Sequence, residues 1–332
     1  MSIELLNFIE TVLNGLMTGI MYSLVALGFV MIFKASGIFN FAQGVLALFA
    51  ALTLVGFQTG QVPFSHLINA LFGTNVHHWQ PMPTFLAIIA TLVVMVMLAW
   101  VIERFVLRHL VNQEPIILFM ATIGLTYVLE GFGDLMWGSD VKMLDIGLPT
   151  GASLELEEIT RGWAIEGSNY LGMYLDVLDI SAAVVAVILV TVLTIFSQYT
   201  RTGRALRAVA DDHQAALSVG ISLRSIWVMV WSIAGFIALV AGIMWGSKSG
   251  VQFSLSLIAL KALPVLILGG FTSIPGAIIG GLIIGVGEKV AEIYLGPYVG
   301  GAIENWFAYM LALVFLLVRP QGLFGEKIIE RV

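Results

Sequence analysis

Cysteine is absent from this 332-residue sequence, and charged residues are few. Without cysteine the chain has no disulfide framework, no thiolate nucleophile and no cysteine metal site. Asp, Glu, Lys and Arg together make up 11% of the residues, whereas soluble domains carry about 25%. So few charges would not cover the surface of a soluble globule of this size. The composition therefore excludes a soluble enzyme and a disordered chain.

Several motifs of ligand-binding proteins are also missing from the sequence. The net charge is −6 and no basic run occurs, so we expect no nucleic-acid partner. No Gly-x-x-x-x-Gly-Lys-Ser/Thr sequence is present, and we expect no ATP hydrolysis by the chain itself. No catalytic triad is visible, and His77-His78-Trp79 fits a surface loop better than a metal site, so neither cofactor nor metal is expected. Residues 1–14 lack Lys and Arg, which argues against a cleavable signal peptide.

Long apolar runs dominate the rest of the sequence. Residues of the AVILMFWYC set make up 59%, and the mean hydropathy is +0.99. The runs are continuous rather than alternating, which favours membrane-spanning helices over a β-barrel. We therefore predict an all-α, polytopic transmembrane helical bundle of about 8–10 spans, since a span needs about 20 apolar residues. The candidate segments are 11–33, 38–58, 84–102, 115–137, 180–199, 226–246, 255–270, 276–295 and 302–318.

Basic residues concentrate in a few loops, and this asymmetry predicts the orientation of the bundle. The loops 103–114 and 200–225 and the C-terminal tail hold most of the Lys and Arg, so we expect them to face the cytoplasm. The 139–179 loop is mainly acidic, and the 59–82 loop contains no Lys or Arg, so both are predicted to lie outside. Nine crossings then place the N-terminus outside and the C-terminus inside, whereas a re-entrant second segment would change the number of crossings and the side of the N-terminus.

The cytoplasmic segment Arg201–Ser222 mixes basic, acidic and small residues more than orientation alone requires. Asp211 and Asp212 would cap a short helix at about 213–218, which Gly220 would end. An ordinary positively charged loop is the alternative interpretation of this segment.

The same segment carries a resemblance to a known family. Gln214-Ala215-Ala216-x-x-x-Gly220 resembles the Glu-Ala-Ala-x-x-x-Gly loop of ABC importer permeases, which forms a coupling helix that docks in a groove of the ATPase subunit. More closely, the chain resembles the Liv-type permeases of branched-chain amino acid importers. The matching pieces extend in order over nearly the whole chain: Asn40-Phe41-Ala42-Gln43-Gly44, Glu103-Arg104, Gly203-Arg204-Ala205-x-Arg207-Ala208, Gly220-Ile221, Leu268-Gly269-Gly270-x-x-Ser273-Ile274-Pro275-Gly276 and Arg319-Pro320-Gln321-Gly322-Leu323-Phe324-Gly325.

This resemblance implies a single transmembrane permease domain over 1–332, surrounded by lipid in a bacterial or archaeal inner membrane. It also implies three kinds of partner: two cytoplasmic ATPase subunits, a second homologous permease or a second copy of the chain, and an external solute-binding protein. The ATPase-coupling residues that it suggests are Gly203, Arg204, Arg207, Asp211, Asp212, Gln214, Ala215, Ala216 and Gly220.

The chain departs from the family pattern at two points that bear on function. Gln214 stands where the general importer loop has glutamate, and the later Ile-x-Leu-Pro of that loop is missing. Family members often carry histidine where this chain has Gln43, which puts leucine, isoleucine or valine in doubt as the substrate. The resemblance therefore predicts transport of a small organic solute, such as an amino acid, an amide or a small carboxylate.

Polar residues inside the spans are the candidates for the translocation path. A charge at the bilayer centre costs about 2.5–3.5 kcal/mol on insertion scales, so Lys261 and Glu288 should face the bundle interior and could pair. A structural ion pair and a pathway role both remain open. Asn40 and Gln43 open the second span, where they could cap backbone groups, line an ordinary membrane-entry turn or point at a substrate.

The charges inside the spans also fit a different class of protein, an ion-coupled secondary transporter or channel that works without ATPase partners. Uptake that collapses with an ionophore while ATP stays high would favour that alternative. A membrane-embedded enzyme is a third possibility, but the sequence shows no catalytic cluster for it.

Overall fold

The computed structural model describes residues 2–75, 78–110, 113–149, 172–211 and 213–325. Within these ranges the regular secondary structure is helical, and β-structure is limited to two isolated bridges. Short 3-10 turns occupy Leu107–Leu110 and Phe253–Leu257. The α-helices are α1 (Ile3–Ser36), α2 (Gln43–Thr59), α3 (Ser65–Phe72), α4 (Thr84–Phe105), α5 (Pro115–Trp137), α6 (Val177–Tyr199), α7 (Arg201–Asp211), α8 (His213–Ser218), α9 (Leu223–Ser249), α10 (Ile258–Gly269), α11 (Ile274–Tyr294), α12 (Gly296–Val299) and α13 (Glu304–Val318).

The all-α polytopic fold predicted from the sequence is confirmed. Among the described residues, six helices are long and apolar enough to cross a membrane: α1, α4, α5, α6, α9 and α11. Shorter apolar helices occupy Gln43–Thr59, Phe253–Gly269 and Glu304–Val318. Each of the nine predicted segments therefore coincides with an apolar helix.

The second predicted segment differs from the structure at its start. Residues 37–42 are not helical, because Gly37 turns the chain after α1 with a φ of 66°. The helix α2 begins only at Gln43, and every residue from Gln43 to Gly56 is buried. A helix that is apolar on all sides belongs in a core, so α2 is a central helix rather than a lipid-facing one.

The chain divides into two compact units. The first unit comprises Met1–Ala26, Gly147–Thr191 and Lys261–Val332, and the second comprises Leu27–Ile146 and Val192–Leu260.

The second unit is built around α2, which packs against α4, α5 and α9. Glycines bring the backbones close: a Cβ on Gly242 of α9 would lie 2.5 Å from the Ala47 carbonyl oxygen of α2. A Cβ on Gly44 of α2 would likewise collide with the Ser256 carbonyl oxygen. Such close approach is how helices pack where no hydrophobic force drives them together.

In the first unit, α1 and α11 pack through glycines on both helices. A Cβ on Gly15 would lie 2.9 Å from the Gly285 carbonyl oxygen, and a Cβ on Gly19 would collide with the Gly281 carbonyl oxygen. The pairing runs in opposite directions along the two helices, so α1 and α11 are antiparallel. The glycines of both helices thus form a close helix-packing face.

The glycine-rich turn between α10 and α11 also receives the C-terminal segment. Ser273 caps α11 by accepting a hydrogen bond from the Gly276 N–H at 3.0 Å. The backbone N–H of Leu323 donates to the Leu268 carbonyl oxygen at 2.8 Å. The charge asymmetry predicts the cytoplasmic side for the tail, and the structure brings the glycine-rich turn into contact with it.

The two loops predicted to lie outside meet each other in the second unit. Lys142 donates from Nζ to Gln61 Oε1 at 2.8 Å. Gln58 donates from Nε2 to the Asp145 carbonyl oxygen at 2.6 Å. The contacts agree with a common side for both loops.

We expect Gly19→Ala to destabilise the protein, because its new methyl group would meet the backbone of α11. Overpacking of this kind costs about 1–3 kcal/mol. The matched control is Gly124→Ala on α5, where an added Cβ meets no atom within 4 Å. Thermal unfolding in detergent should show a lower midpoint for Gly19→Ala only, and equal midpoints for both variants and wild type would contradict the packing account.

Candidate functional site

A cluster of polar side chains lies between three helices of the first unit. Lys261 of α10 donates from Nζ to Glu288 Oε1 of α11 at 2.7 Å. Tyr22 of α1 donates its hydroxyl to the same oxygen at 3.1 Å. Because helical side chains tilt toward the N-terminus of their own helix, Tyr22 and Glu288 lean toward each other across the antiparallel pair. The ion pair that the sequence suggested is therefore present, with Tyr22 as an additional member.

Burial makes this cluster depend on its internal contacts. Glu288 is 0% exposed, whereas the Lys261 side chain is 26% exposed. Within the described residues, Glu288 Oε2 has no hydrogen-bond partner. The Lys261 ammonium also lies 5.8 Å from the centre of the Tyr22 ring, within the range of a cation–π interaction. The carboxylate thus has one oxygen fully used and one that could accept a further proton donor.

The other charges of α11 find partners in the same unit. Lys289 donates to Glu304 Oε2 at 3.0 Å. Glu292 accepts the backbone N–H groups of Ala302 and Glu304, both at 2.9 Å. These groups are more exposed than Glu288, which is the buried charge of this helix.

Asn40 and Gln43 form a separate buried group in the second unit. Asn40 Oδ1 accepts the Ala42 N–H at 3.2 Å, and Asn40 Nδ2 donates to Gln43 Oε1 at 3.4 Å. Gln43 Nε2 donates to the Ala234 carbonyl oxygen of α9 at 3.4 Å. Both residues are 0% exposed. The Asn40 side chain closes a turn that ends at Ala42, the residue directly before α2. It does not cap the helix itself.

Thr122 of α5, which sequence analysis missed, forms hydrogen bonds with the non-helical segment before α2. Thr122 Oγ1 accepts the Phe41 N–H at 3.0 Å. Its one hydroxyl proton is shared between the Phe119 carbonyl oxygen of α5 at 2.8 Å and the Phe39 carbonyl oxygen at 3.2 Å. Exposed backbone groups are costly inside a membrane, so Thr122 compensates for the break in the helix. A threonine within an apolar run was the available signal, but nothing in the sequence connects it to residue 41.

The structure thus groups the four predicted path residues as two pairs. Lys261 and Glu288 meet in the first unit, and Asn40 and Gln43 meet in the second. Tyr22 escaped sequence analysis because its partner lies 266 positions away.

The cytoplasmic segment contains the short helix that the sequence predicts. The helix α8 covers His213–Ser218. Gly220 then adopts a φ of 83°, and its N–H donates to the Leu217 carbonyl oxygen at 3.0 Å. The left-handed conformation is the usual way for glycine to end a helix.

Residues at the start of this segment hold the corner between α6 and α7. Arg204 and Arg207 donate to the carbonyl oxygens of Tyr199 and Gln198, both at 3.3 Å. These carbonyls end α6, where the helix dipole favours cations. A Cβ on Gly203 would lie 2.6 Å from the Ser197 carbonyl oxygen. The corner therefore needs glycine and the two arginines for its own geometry.

Apolar side chains are exposed in the last turn of α8 and directly after it. Ala216 is buried, whereas Leu217 is 52% exposed and Val219 is 74% exposed. Asp212 lies outside the described residues, as do the side chains of Asp211, Gln214 and Ala215. The capping predicted for the two aspartates therefore stays a prediction.

Comparison with known proteins gives a consistent answer along the chain. The family described as "Branched-chain amino acid transport system / permease component" matches residues 11–319. The high-affinity branched-chain amino acid transport system permease protein LivH of Escherichia coli (strain K12) is 29% identical over 344 aligned positions and covers 100% of both chains.

Two further relatives extend the range of organisms. The high-affinity branched-chain amino acid transport system permease protein BraD of Pseudomonas aeruginosa is 28% identical, with 99% of each chain covered. A probable branched-chain amino acid transport permease protein LivH of Methanocaldococcus jannaschii is 26% identical over 91% of this chain and 88% of its own. Together with the apolar helices, these matches identify a multi-pass inner-membrane protein of the transport permease class.

Proposed function

The chain belongs to the family of branched-chain amino acid transport system permease components, and we propose that it is the membrane-spanning subunit of an ATP-driven importer. In this proposal two cytoplasmic ATPase subunits bind the 200–225 segment. A second homologous permease, or a second copy of the chain, completes the membrane part. An external solute-binding protein delivers the solute to the opposite face of a bacterial or archaeal inner membrane.

The observation that carries the proposal is the surface of α8. Leu217 and Val219 are exposed on a segment whose charges predict the cytoplasmic side. Lipid would not cover apolar side chains there, and such exposed groups mark protein contacts. Gly220 follows them with open space around its Cα, so a partner backbone can approach closely. This arrangement fits the coupling helix that the family resemblance implies.

Through this surface, ATP binding and hydrolysis by the ATPase subunits would shift the permease between two conformational states. ATP binding closes the ATPase pair, which pushes α8 and favours the outward-open state of the permease. Hydrolysis then releases the pair and restores the first state. Such a coupling requires ATPase contacts that differ between the two states, since a ligand shifts an equilibrium only by its differential affinity.

We also propose a solute path that involves the two buried polar groups. The Lys261–Glu288 pair offers an ammonium that is partly exposed and a carboxylate with one unused oxygen. Asn40 and Gln43 hold the break before α2 and would shape the path rather than bind solute through free groups. The solute would be an amino acid, an amide or a small carboxylate. The names of the relatives favour branched-chain amino acids, and Gln43 is the reason to test other solutes.

Purification of the chain from its native cells in mild detergent tests the importer proposal directly. We expect ATPase subunits and a permease of similar size to co-purify, identified by mass, together with ATPase activity. The chain alone, or paired only with itself and without ATPase activity, would overturn the proposal and favour the ion-coupled alternative centred on Lys261 and Glu288.

Gly220→Trp should uncouple ATP hydrolysis from uptake, because the bulky ring would occupy the space that a docked ATPase needs. The control Gly220→Ala carries the same backbone strain at positive φ but lacks the bulk. Uptake would be measured in proteoliposomes with radiolabelled leucine, urea and benzoate, using the probe that the wild type transports fastest. Equal uptake per ATP in Gly220→Trp and Gly220→Ala would contradict the docking role.

Single alanine variants at Asn40, Gln43, Lys261 and Glu288 test the path. We expect lower uptake and altered relative rates among the three probes in variants that reach the membrane in normal amounts. Lys289→Ala is the matched control, since Lys289 pairs with Glu304 on the same helix in a more exposed position. If rates and preferences match the wild type in all four variants, the residues are structural only.

A further inference from the structure

A buried carboxylate at the end of α4 connects two parts of the second unit. Glu103 is 1% exposed. Its Oε2 lies 3.2 Å from Arg108 Nη2 and 3.7 Å from Arg224 Nε. Arg108 belongs to the 3-10 turn that follows α4 directly, whereas Arg224 comes from the start of α9. Glu103 therefore has one local partner and one partner from a distant segment.

The position of Arg224 is unfavourable for its own helix. Ser222 is the N-cap of α9, so Arg224 lies in the first turn. The positive end of the helix dipole disfavours a cation there. The buried carboxylate of Glu103 offsets this cost and gives the arginine a defined place. The pair thus connects the start of α9 to the end of α4 through a 3.7 Å ion contact, in which the Arg224 side chain is 52% exposed.

The start of α9 also follows the coupling helix α8 closely along the chain. Only the turn around Gly220 separates α8 from Ser222, and α9 contacts both α7 and α8. Beyond its first turn, α9 packs along α2 and α4. A push on α8 would therefore reach the core of the second unit through the first turn of α9.

We propose that Glu103 and Arg224 form a positioning link. This ion pair holds the start of α9, which follows the coupling helix α8, to the end of α4. The inference rests on the proposed function, because it gives the link a role in transmitting ATPase motion. Without the link, α8 would move against α9 and α4 instead of moving them. Arg108 compensates the same carboxylate from within the turn that follows α4 directly.

The absence of cysteine from the sequence permits site-directed spin labelling on an otherwise native chain. Labels at Leu217→Cys on α8 and Phe105→Cys at the end of α4 report how firmly the two segments are held together. Both side chains are exposed, at 52% and 67%, so labels would not disturb the core. The distance distribution between them would be measured by EPR on the full chain in proteoliposomes.

The variants Arg224→Gln, Arg224→Lys and Arg108→Gln separate positioning from charge compensation. We expect Arg224→Gln to broaden the distance distribution and to lower solute uptake per ATP by about tenfold, within the usual range of coupling effects. Arg224→Lys keeps the charge, so we expect its distance distribution and its solute uptake per ATP to stay close to those of the wild type. Arg108→Gln removes the closer ion pair and should reduce the yield of folded protein, yet leave the distribution narrow.

Two results would overturn the link. One is a distribution unchanged by Arg224→Gln, and the other is equal broadening by Arg108→Gln, which would assign Glu103 to local folding alone. The EPR measurement needs neither ATPase nor solute, so its outcome is independent of the importer proposal. Failure of ATPase subunits to co-purify would overturn the proposed function while leaving the measured distances as they are.

Discussion

The hydrocarbon core of a membrane offers no water to a charged group, and this constraint governs the first unit. A charge in a span must find its partner within the protein. Glu288, which is fully buried, meets Lys261 from α10 and Tyr22 from α1. The contact requires α1 and α11 to lie close, and the glycines on their facing surfaces permit that distance. Packing and electrostatics therefore depend on each other here.

In the second unit the same constraint acts on uncharged backbone groups and on a buried carboxylate at the end of α4. The break before α2 leaves backbone groups without helical partners, and Asn40 and Thr122 supply them. At the end of α4, Glu103 is compensated by two arginines. The firmly held core contrasts with α8, where apolar side chains remain exposed.

Local patterns in the sequence predicted local structure well. Acidic residues before a short run and a glycine after it indicated the helix at 213–218, and that helix is present. Gly281 and Gly285 lie four apart, a spacing typical of close helix packing, and both contact the backbone of α1. Burial costs alone suggested that Lys261 and Glu288 would pair. In each case the prediction depended on a pattern within a few residues or on the free-energy cost of an unpaired charge in the membrane.

Long-range partners were beyond sequence reasoning. Tyr22 is separated from Glu288 by 266 positions, and nothing near either residue identifies the other. Arg224 looked like one of several positive-inside residues until the structure placed it beside Glu103. The late start of α2 depends on Thr122 from another helix. Such features need the packing of distant helices, which hydropathy and spacing do not encode.

A double-mutant cycle at Lys261 and Glu288 tests most directly whether paired charges hold the membrane fold together. The variants are Lys261→Met, Glu288→Gln and their combination, and the measured quantity is the free energy of unfolding in detergent micelles. Leaving Glu288 unpaired should cost about 3–5 kcal/mol, and the double variant should be much less destabilised than the sum of the two single variants. Additive costs would contradict the account, because they would mean that the two charges do not stabilise each other.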